Sequence, residues 1–526
     1  MRRLLLIFIL GFLVPLPGQS QTPDWSSGVA PILYNNCVSC HRPGGIAPFE
    51  LVTYQNAVTF GSAIAASVSN RRMPPWPPDP TYKRLAHERL LEQSEIDKIV
   101  DWVNGGKPHG DPNLAPPLPV FNSSGDLPGT PDLVAPIPVY SSTALGSDVY
   151  QCFVVPSGLS VDKYIAAFEA IPGNRGIVHH VLVYADTTGV CAQLDAADPL
   201  PGYTSFGGVG TNDAILLGGW VPGTAPLKYP AGFGVRLPKN ADIVIQVHYP
   251  AGTMGMLDST KIHFFFTPDN NVRSVYIDPA LNHGPNLVNG PLFIPANQTK
   301  SFVSKFDVPA FLNVSVLGVA PHMHLIGRSM SVFGITPALD TQKLIRINDW
   351  NFHWQGFYMF PKIEKVSGGT QLYGVAHYDN TANNTWNPNN PPQNVAVGEA
   401  TTDEMLLVYF IYTLYQPGDE NILIDSSSIL NIQQPVGVAS TRRLELYPNP
   451  SSGTVHLDFA LEKEEQGTLE ILDLTGRLQQ QPFADKWYSS GKHRETIDLS
   501  RLTPGIYQIK LRFQSVQYTG RLVLRE

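Results

Sequence analysis

Apolar residues along most of this chain alternate with polar ones or form short runs of β-branched and aromatic side chains, a pattern typical of β-strands. One stretch near residue 100 differs, because its apolar residues recur at helical spacing: Ile96, Ile99, Val100 and Val103. Ser94 and Asp97 precede most of this run in the arrangement of a capping box, and Gly105-Gly106 follows it. The pattern therefore predicts a mainly β chain with a small helical part near its beginning.

The first residues have the layout of a signal peptide. A basic start at Arg2-Arg3 is followed by the apolar run Leu4–Val14, and Gly18 and Ser20 supply small residues for cleavage after Ser20. The run is too short to cross a bilayer, and no later segment reaches the roughly 18 apolar residues of a transmembrane helix. We expect residues 1–20 to be removed and the mature chain to be soluble, exported and without a transmembrane segment. The alternative is an uncleaved anchor.

Composition narrows the class of protein. Only 15% of the residues are charged, against about 25% in typical soluble domains. The 45 glycines and 47 prolines favour many turns between short strands, while 43% hydrophobic residues allow substantial cores. A net charge of −8 provides no basic surface for nucleic acid, and four cysteines are too few for a disulfide scaffold. Charged residues become denser after about residue 440, which predicts a separate domain at 442–526.

Residues 37–41 form a C-x-x-C-H motif, in which Cys37 and Cys40 lie one helical turn apart and His41 follows directly. This spacing lets two thiols add to the vinyl groups of a haem while the histidine reaches the iron. Export favours this interpretation, because c-type haem is attached outside the cytoplasm. The alternatives are a redox dithiol and half of a zinc site.

The second axial ligand is selected by elimination. Between Met1 and Met254 the only methionine is Met73, which lies in a proline-rich loop suited to presenting sulfur to iron. His87 and His109 remain as alternatives. The module at residues 22–112 resembles a class I cytochrome c, which implies a small all-α, electron-carrying domain with one covalently attached haem.

Three histidine clusters lie in strand-like, charge-poor sequence: His179-His180, His248 and His322-x-His324. The period of two in a strand places His322 and His324 on one face, as a shared metal requires. His179 and His180 would face opposite sides of an ideal strand, so the strand must end or bulge there if both bind one metal.

Together with Asp403-Glu404-Met405 and the strand-like run after it, these histidines resemble the copper type II, ascorbate-dependent monooxygenases. The resemblance implies two jelly-roll-like β-sandwich copper domains, at residues 141–285 and 286–438, after a Pro-rich linker at 113–140. It also implies two copper ions, an electron-storing one and an oxygen-activating one. The first would be bound by His179, His180 and His248. The second would be bound by the catalytic set His322, His324 and Met405.

Several positions depart from that family. A family disulfide next to the copper methionine is missing, since Leu406 occupies one half and residues 376–378 contain no cysteine. We expect the two remaining cysteines, Cys152 and Cys191, to form a disulfide. Ala320 replaces the arginine with which the peptide-amidating branch holds its substrate. Although Tyr409 is retained, the pocket is expected to be apolar and its small-molecule substrate is not evident.

Other histidines match no motif of the family. His263, His283 and His353 are expected to be structural. His377 is expected to lie at the surface or in the core, and the alternative is a position next to the ligands of the second copper.

The C-terminal stretch has its own motifs. Leu444–Gly453 contains Pro-Asn-Pro, and Leu502–Tyr507 contains Pro-Gly-Ile-Tyr, both among alternating strands. These strings resemble the C-terminal sorting domain of type IX secretion, which implies a small Ig-like β-sandwich, passage through the periplasm of a Bacteroidetes-like bacterium and contact with the secretion machinery. An adhesive or carbohydrate-binding sandwich is the alternative.

These resemblances predict a secreted copper monooxygenase that inserts one atom of O2 into a C–H bond of a small substrate and releases the other as water. Its electrons would come through the tethered haem, with ascorbate or another reductant as a candidate external donor. The alternative is a non-catalytic haem and copper protein that transfers electrons or binds copper at the cell surface.

Overall fold

The computed structural model describes most of the chain: residues 22–45, 47–119, 121, 125–222, 224–269, 271–425, 440–472, 478–500, 502–513 and 516–525. The structure is 42% strand and 12% helix, which confirms a mainly β fold. It divides into two compact units, Met1–Asn431 and Ile432–Glu526. The predicted signal peptide lies outside the described residues. Within the described ranges, no helix combines the length and apolar character needed to cross a membrane.

The N-terminal module is helical. It contains a π-helical turn (Trp25–Val29), α1 (Ala30–Asn36), α2 (Tyr54–Ser69), α3 (Gln93–Asn104) and a 3-10 turn (Pro112–Leu114). Trp25, Leu33, Ile99 and Trp102 are buried at the centre of this module. Because the apolar side chains of α3 pack into this core, the helical spacing near residue 100 corresponds to a real helix.

The start of α3 differs from the predicted capping box. Glu92, in extended conformation, precedes the helix, and its backbone N–H donates to the Glu95 side chain at 2.9 Å. Ser94 and Asp97 therefore lie inside α3, and the predicted cap is two residues too late. Glu92 and Glu95 form the capping box instead, because the carboxylate of each residue accepts a hydrogen bond from the backbone N–H of the other.

The region predicted to form the first copper domain contains α4 (Val190–Ala197) and short strands. The strands are β1 (Leu133–Pro136), β2 (Tyr140–Ser141), β3 (Val149–Pro156), β4 (Lys163–Ile171), β5 (His180–Asp186), β6 (Tyr203–Thr204), β7 (Ile215–Trp220), β8 (Leu227–Lys228), β9 (Phe233–Leu237), β10 (Asp242–Tyr249), β11 (Leu257–Asp258), β12 (Lys261–Phe266) and β13 (Arg273–Asn282). One sheet, here called the β10 sheet, has the order β6-β3-β10-β5-β7. The predicted linker at 113–140 contributes β1 and the start of β2, so part of it belongs to the sheets.

The second region adds further strands. They are β14 (Phe293–Ile294), β15 (Gln298–Asp307), β16 (Val314–His322), β17 (Gly327–Ile335), β18 (Thr341–Ile347), β19 (Tyr358–Val366), β20 (Gln371–Asn380), β21 (Val395–Ala396) and β22 (Leu407–Leu414); a 3-10 turn follows at Asp419–Asn421. Four of these strands form a sheet of their own, in the order β15-β20-β17-β18.

One large sheet joins the two regions, in the order β1-β12-β4-β9-β13-β22-β16-β19, with β8 paired to β4. At its centre, β13 pairs with β9 in parallel and with β22 antiparallel. Strands from both predicted halves, 141–285 and 286–438, thus lie in one sheet. Strands β10 and β16 are buried along nearly their whole length, which explains their continuous apolar sequence.

The C-terminal unit is a separate β-sandwich. Its strands are β23 (Ser440–Arg443), β24 (Glu445–Tyr447), β25 (Thr454–Leu461), β26 (Glu465–Leu472), β27 (Leu478–Tyr488), β28 (Gly491–Asp498), β29 (Gly505–Arg512) and β30 (Val516–Leu524). Two sheets, β23-β30-β29-β26-β27 and β24-β25-β28, enclose one apolar core. This agrees with the predicted sandwich.

The predicted disulfide is wrong. Cys152 on β3 and Cys191 on α4 are both buried free thiols in the same apolar cluster. The Cys191 thiol donates to the carbonyl of Val209 at 3.2 Å, and the Cys152 sulfur accepts from the Gln246 side chain at 3.8 Å. Each sulfur thus has its own partner. Burial raises the pKa of Cys152 to about 12 and that of Cys191 to about 11, so both thiols stay neutral.

Candidate metal centres

Three histidines converge at the end of the β10 sheet. His180 on β5 lies directly opposite His248 on β10, and the backbone N–H of His179 donates to the His248 carbonyl at 2.9 Å. The Nδ1 atom of His180 is 3.3 Å from Nδ1 of His179 and 3.3 Å from Nδ1 of His248. Strand β5 begins at His180, so His179 lies just outside it and its ring can turn to the same side. The boundary of β5 therefore lies between His179 and His180, where the binding of both histidines to one metal requires a break in the strand.

The environment keeps the imidazoles of His179 and His180 neutral, the form that binds metals. Burial lowers the pKa of His179 to about 3, and His248 adds to the effect. The pKa of His180 lies well below its ordinary value for the same reasons. His248 Nε2 donates to Asp148 at 3.0 Å, which leaves the Nδ1 lone pair of His248 facing the other two rings. Burial raises the pKa of Asp148, but hydrogen bonds from His248 and Ala251 outweigh it and lower the value to about 2.

Aromatic and polar residues of a distant loop complete this cluster. The loop is Trp350–Gln355, between β18 and β19. His353 Nδ1 lies 3.2 Å from His179 Nε2, and the Phe352 ring stacks on His179 at a centroid distance of 5.3 Å. Phe352 also meets the ring of His324 at right angles, at a centroid distance of 5.9 Å. The same phenyl ring therefore contacts both candidate copper sites.

The second candidate site lies where β16 and β22 end together. His322 is the last residue of β16 and pairs with Leu407 on β22. His324 and Met405 each lie two residues beyond this pair, and the backbone N–H groups of both donate to the Glu404 side chain. The rings of His322 and His324 are 5.1 Å apart and nearly perpendicular. Met323 between them is fully buried in the apolar core, as expected for a residue that points away from the histidines.

Hydrogen bonds orient both rings of this site. His322 Nδ1 donates to the Gln355 side-chain oxygen at 2.6 Å, and His324 Nδ1 donates to the Asp403 carbonyl at 3.1 Å. In both rings the Nε2 atom is thereby left as the metal-binding nitrogen. Burial lowers the pKa of His322 to about 3 and that of His324 to about 4.

A buried carboxyl group ties the histidine segment to the methionine segment. Glu404 accepts from the backbone N–H groups of His324, Ile326 and Met405 at 2.9–3.1 Å. Burial raises the pKa of Glu404 to about 8, against the effect of these hydrogen bonds. Met405 is also buried, and its carbonyl accepts from the Tyr378 hydroxyl at 2.7 Å. Glu404 therefore holds the two segments of the site in one arrangement.

Several of these neighbours were not identified from the sequence. Asp148 lies a hundred positions from His248, and no spacing rule links them. His353 was expected to be structural, yet it contacts His179. His283, likewise, accepts from the backbone N–H of Leu406 beside Met405 at 3.2 Å. His377 is exposed and bonds to Ser301, away from the copper histidines, in line with a surface role.

Between the strands that carry the second site, Ala320 pairs with Tyr409. Burial raises the pKa of Tyr409 to about 12, so its hydroxyl stays protonated. With Ala320 in place of a cation, this strand pair offers no charge for a substrate carboxylate.

The C-x-x-C-H motif forms a helical turn at the end of α1. The backbone N–H groups of Cys40 and His41 both donate to the Cys37 carbonyl. His41 Nδ1 donates to the Phe49 carbonyl at 2.9 Å, which leaves Nε2 as the free ring nitrogen. Burial raises the pKa of the Cys37 thiol to about 12.

The structure separates the candidate axial ligands. Met73 is 37% exposed in the loop after α2. His87 instead approaches Asp425 at 3.5 Å, and His109 packs edge-on against Tyr54. The buried Nε1 of Trp76 has no hydrogen-bond partner among the described residues. The helical turn of the C-x-x-C-H motif and the orientation of the His41 ring are compatible with a c-type haem attached there.

Among solved structures, similar chains include a beta-glucuronidase from glycoside hydrolase family 2, with 11% identity over 44% of this chain and 24% of that chain, at a TM-score of 0.13. Red sea bream transglutaminase matches with 10% identity over 44% and 30%, at 0.14. Faecalibacterium prausnitzii beta-glucuronidase matches with 12% identity over 71% and 48%, at 0.12. The match spans less than half of each of these chains, and such TM-scores support no conclusion about fold or activity.

Two protein families match parts of the chain. Residues 299–427 match the copper type II ascorbate-dependent monooxygenase, C-terminal domain. Residues 445–525 match the secretion system C-terminal sorting domain, which agrees with export by type IX secretion. The predicted resemblances to the copper type II ascorbate-dependent monooxygenases and to the sorting domain are therefore confirmed, each over its matched residues.

Proposed function

We propose that this protein is a secreted copper-dependent monooxygenase that hydroxylates a C–H bond of a small substrate with O2, with electrons delivered through a tethered c-type haem. One observation carries the proposal. The three histidine Nδ1 atoms converge on one point, and Phe352 connects their cluster to the His322 and His324 pair. The family match at residues 299–427 supports copper as the metal.

In this proposal His179, His180 and His248 hold the electron-storing copper through Nδ1. A metal between the three Nδ1 atoms would accept their lone pairs in place of the hydrogen bonds that the rings can otherwise share. Asp148 fixes the tautomer of His248, and His353 accepts from or donates to His179 Nε2. An all-imidazole site suits copper that cycles between oxidation states.

His322, His324 and Met405 would hold the second copper through two Nε2 atoms and a thioether. A thioether favours Cu(I), the form that reacts with O2. Gln355 and Asp403 orient the two rings, while Glu404 holds the backbone of His324 and Met405 together. The buried Phe352, Trp350 and Met323 keep water from the side of the site that faces the core.

The haem would be attached to Cys37 and Cys40, with His41 as one axial ligand and Met73 as the other. A bound haem would supply one-electron redox chemistry. The hydrogen bond from His41 Nδ1 to the Phe49 carbonyl fixes the ring for ligation through Nε2. The single chain keeps this module beside the copper domains at a high effective concentration.

The test is to purify the full chain with its haem, quantify haem and copper, and screen small apolar compounds with isotopically labelled O2. We expect one haem and two coppers per chain, and one labelled oxygen atom in the product. Met405→Ile should abolish product formation and remove the copper–sulfur signal in X-ray absorption. Met330→Leu, at a buried core methionine outside the site, is the matched control and should leave both unchanged.

Two results would contradict the proposal. Copper that binds but never changes oxidation state would point to a structural metal. Rapid haem-to-copper electron transfer without any labelled product would favour the non-catalytic electron-transfer or copper-binding protein instead.

A further inference from the structure

The segment that follows Met73 is bound to the surface of the β-strands of the second region. Residues 76–88, here called the docking segment, lie on the second copper-domain region. Its hydrogen bonds and ion pair join backbone and side chains of both parts: Asp79 N–H to the Arg346 carbonyl at 2.8 Å, Asn348 to the Asp79 carboxylate at 3.0 Å, Lys83 to Glu364 at 2.5 Å, Ala86 N–H to the Met359 carbonyl at 2.8 Å and His87 N–H to Asp425 at 2.8 Å.

Apolar contacts make the same interface part of the core. Leu85 is fully buried in the cluster built from β16, β17, β19 and β22, and Ala86 belongs to the cluster of the first region. Trp76 packs against the Leu85 cluster from its edge. Burial of this kind holds the segment in one position, so the helical module is docked in addition to being tethered.

Trp76 occupies the start of the docking segment. It follows Met73 by three residues, and its buried Nε1–H has no acceptor among the described residues. The rings of Trp76 and Tyr358 are nearly perpendicular, with centroids 5.6 Å apart.

From Tyr358 a short bonded connection continues to a copper histidine. The Tyr358 hydroxyl donates to the Trp354 carbonyl at 3.3 Å. The next residue, Gln355, accepts from His322 Nδ1 through its side-chain oxygen at 2.6 Å. Two aromatic rings, one peptide unit and one amide side chain thus link the neighbourhood of Met73 to His322 without a break in contact.

We propose that Trp76, Tyr358 and Gln355 form the electron route from the haem to the copper at His322, His324 and Met405. This inference rests on the proposed function, since it requires both metal groups. Each transfer oxidises Fe(II) to Fe(III) and reduces Cu(II) to Cu(I), with no bond broken and no proton moved. The route enters at the oxygen-activating site, and the three-histidine site lies beyond it, across Phe352.

The test follows the haem spectrum, which reports electron transfer independently of turnover. The full chain, with Cu(II) bound and its haem reduced by a rapid flash under argon, is monitored by haem absorbance and by the Cu(II) resonance. Tyr358→Phe keeps the ring and removes the bond to Trp354, so we expect haem oxidation to slow several-fold. Trp76→Phe keeps an aromatic ring but removes the indole, and should also slow it. Haem and copper content and the haem potential are measured for each variant.

Tyr82→Phe is the matched control. Tyr82 lies in the same docking segment and also loses only a hydroxyl, but its ring covers Arg346 at 4.0 Å, away from the proposed route. We expect it to transfer electrons at the unaltered rate. Unchanged rates in both Tyr358→Phe and Trp76→Phe would overturn the route while leaving haem delivery intact. No transfer in the unaltered protein would overturn haem delivery in the proposed function, and the route with it.

Discussion

His180 and His248 lie directly opposite each other on adjacent antiparallel strands, and their Nδ1 atoms are 3.3 Å apart. The hydrogen bond from His248 Nε2 to Asp148 leaves Nδ1 of His248 facing His180. The Nδ1 atom of His179 approaches His180 from just outside the strand, so the three Nδ1 atoms surround one common point. The pairing register of β5 and β10 therefore determines the geometry of the site.

Removing the Asp148 carboxylate should weaken copper binding at the three-histidine site. Asp148→Asn cannot accept the His248 proton as strongly, so the ring is less firmly held with Nδ1 toward the metal. We expect a loss of copper affinity of about 10- to 100-fold, measured by titration against a competing chelator. Asp162→Asn, at an exposed carboxylate paired with Arg236, is the control. Equal affinities in the two variants would contradict a role for Asp148.

Glu404 should be needed for the second site but not for the first. Glu404→Ala leaves the buried N–H groups of His324, Ile326 and Met405 without their acceptor, at a cost of about 1–3 kcal/mol for each such group. We expect copper content to fall from two ions to one per chain. Metal analysis of Glu399→Ala, at an exposed glutamate nearby, should still find two.

The docking segment should depend on Leu85. Leu85 is fully buried, and truncating a buried leucine to alanine costs about 2–5 kcal/mol. We expect Leu85→Ala to lower the thermal unfolding temperature and to expose residues 76–88 to limited proteolysis. Leu118→Ala, at a leucine that is 63% exposed, should change neither. Equal protease resistance in the two variants would show that the segment is only a tether.

The buried pair of Asp419 and Arg273 should make stability depend on acid pH. Both carboxylate oxygens accept from the guanidinium, at 2.6 and 2.7 Å. Burial alone would raise the pKa of Asp419, but hydrogen bonds from Arg273 and Ser315 lower it to about 2. Since the folded-state pKa is depressed below the ordinary value, the stabilisation is full above about pH 4 and is lost as the pH falls toward 2.

This pH dependence predicts the behaviour of Asp419→Asn. At pH 7 the variant should unfold at a lower temperature, with a loss of about 2 kcal/mol from the pKa shift. Toward pH 2 the two proteins should converge, as followed by thermal unfolding across a pH series. A difference that stayed constant down to pH 2 would contradict the assignment of the stabilisation to the ionised carboxylate.

Local sequence was sufficient where the chemistry lies within a few residues. The C-x-x-C-H motif forms a helical turn because its spacing matches one turn, and the strands at His180, His248 and His322 follow from their β-branched neighbours. The disulfide prediction was wrong because export indicates which bonds are favoured but carries no information on the distance between two sulfur atoms. The capping box was misplaced because Glu92 and Glu95 serve as well as serine and aspartate.

The sequence by itself determined the mainly β class, the exported character, the sorting domain and the candidate ligand residues, because each depends on composition or on residues close together in the chain. Only the tertiary structure decided that β13 joins both sandwiches in one sheet, that Asp148 and Gln355 orient the rings of His248 and His322, and that residues 76–88 dock on the second copper-domain region. Those relationships join residues that are far apart in the chain. Long-range packing and strand register bring these residues together, and no local sequence pattern encodes either of them.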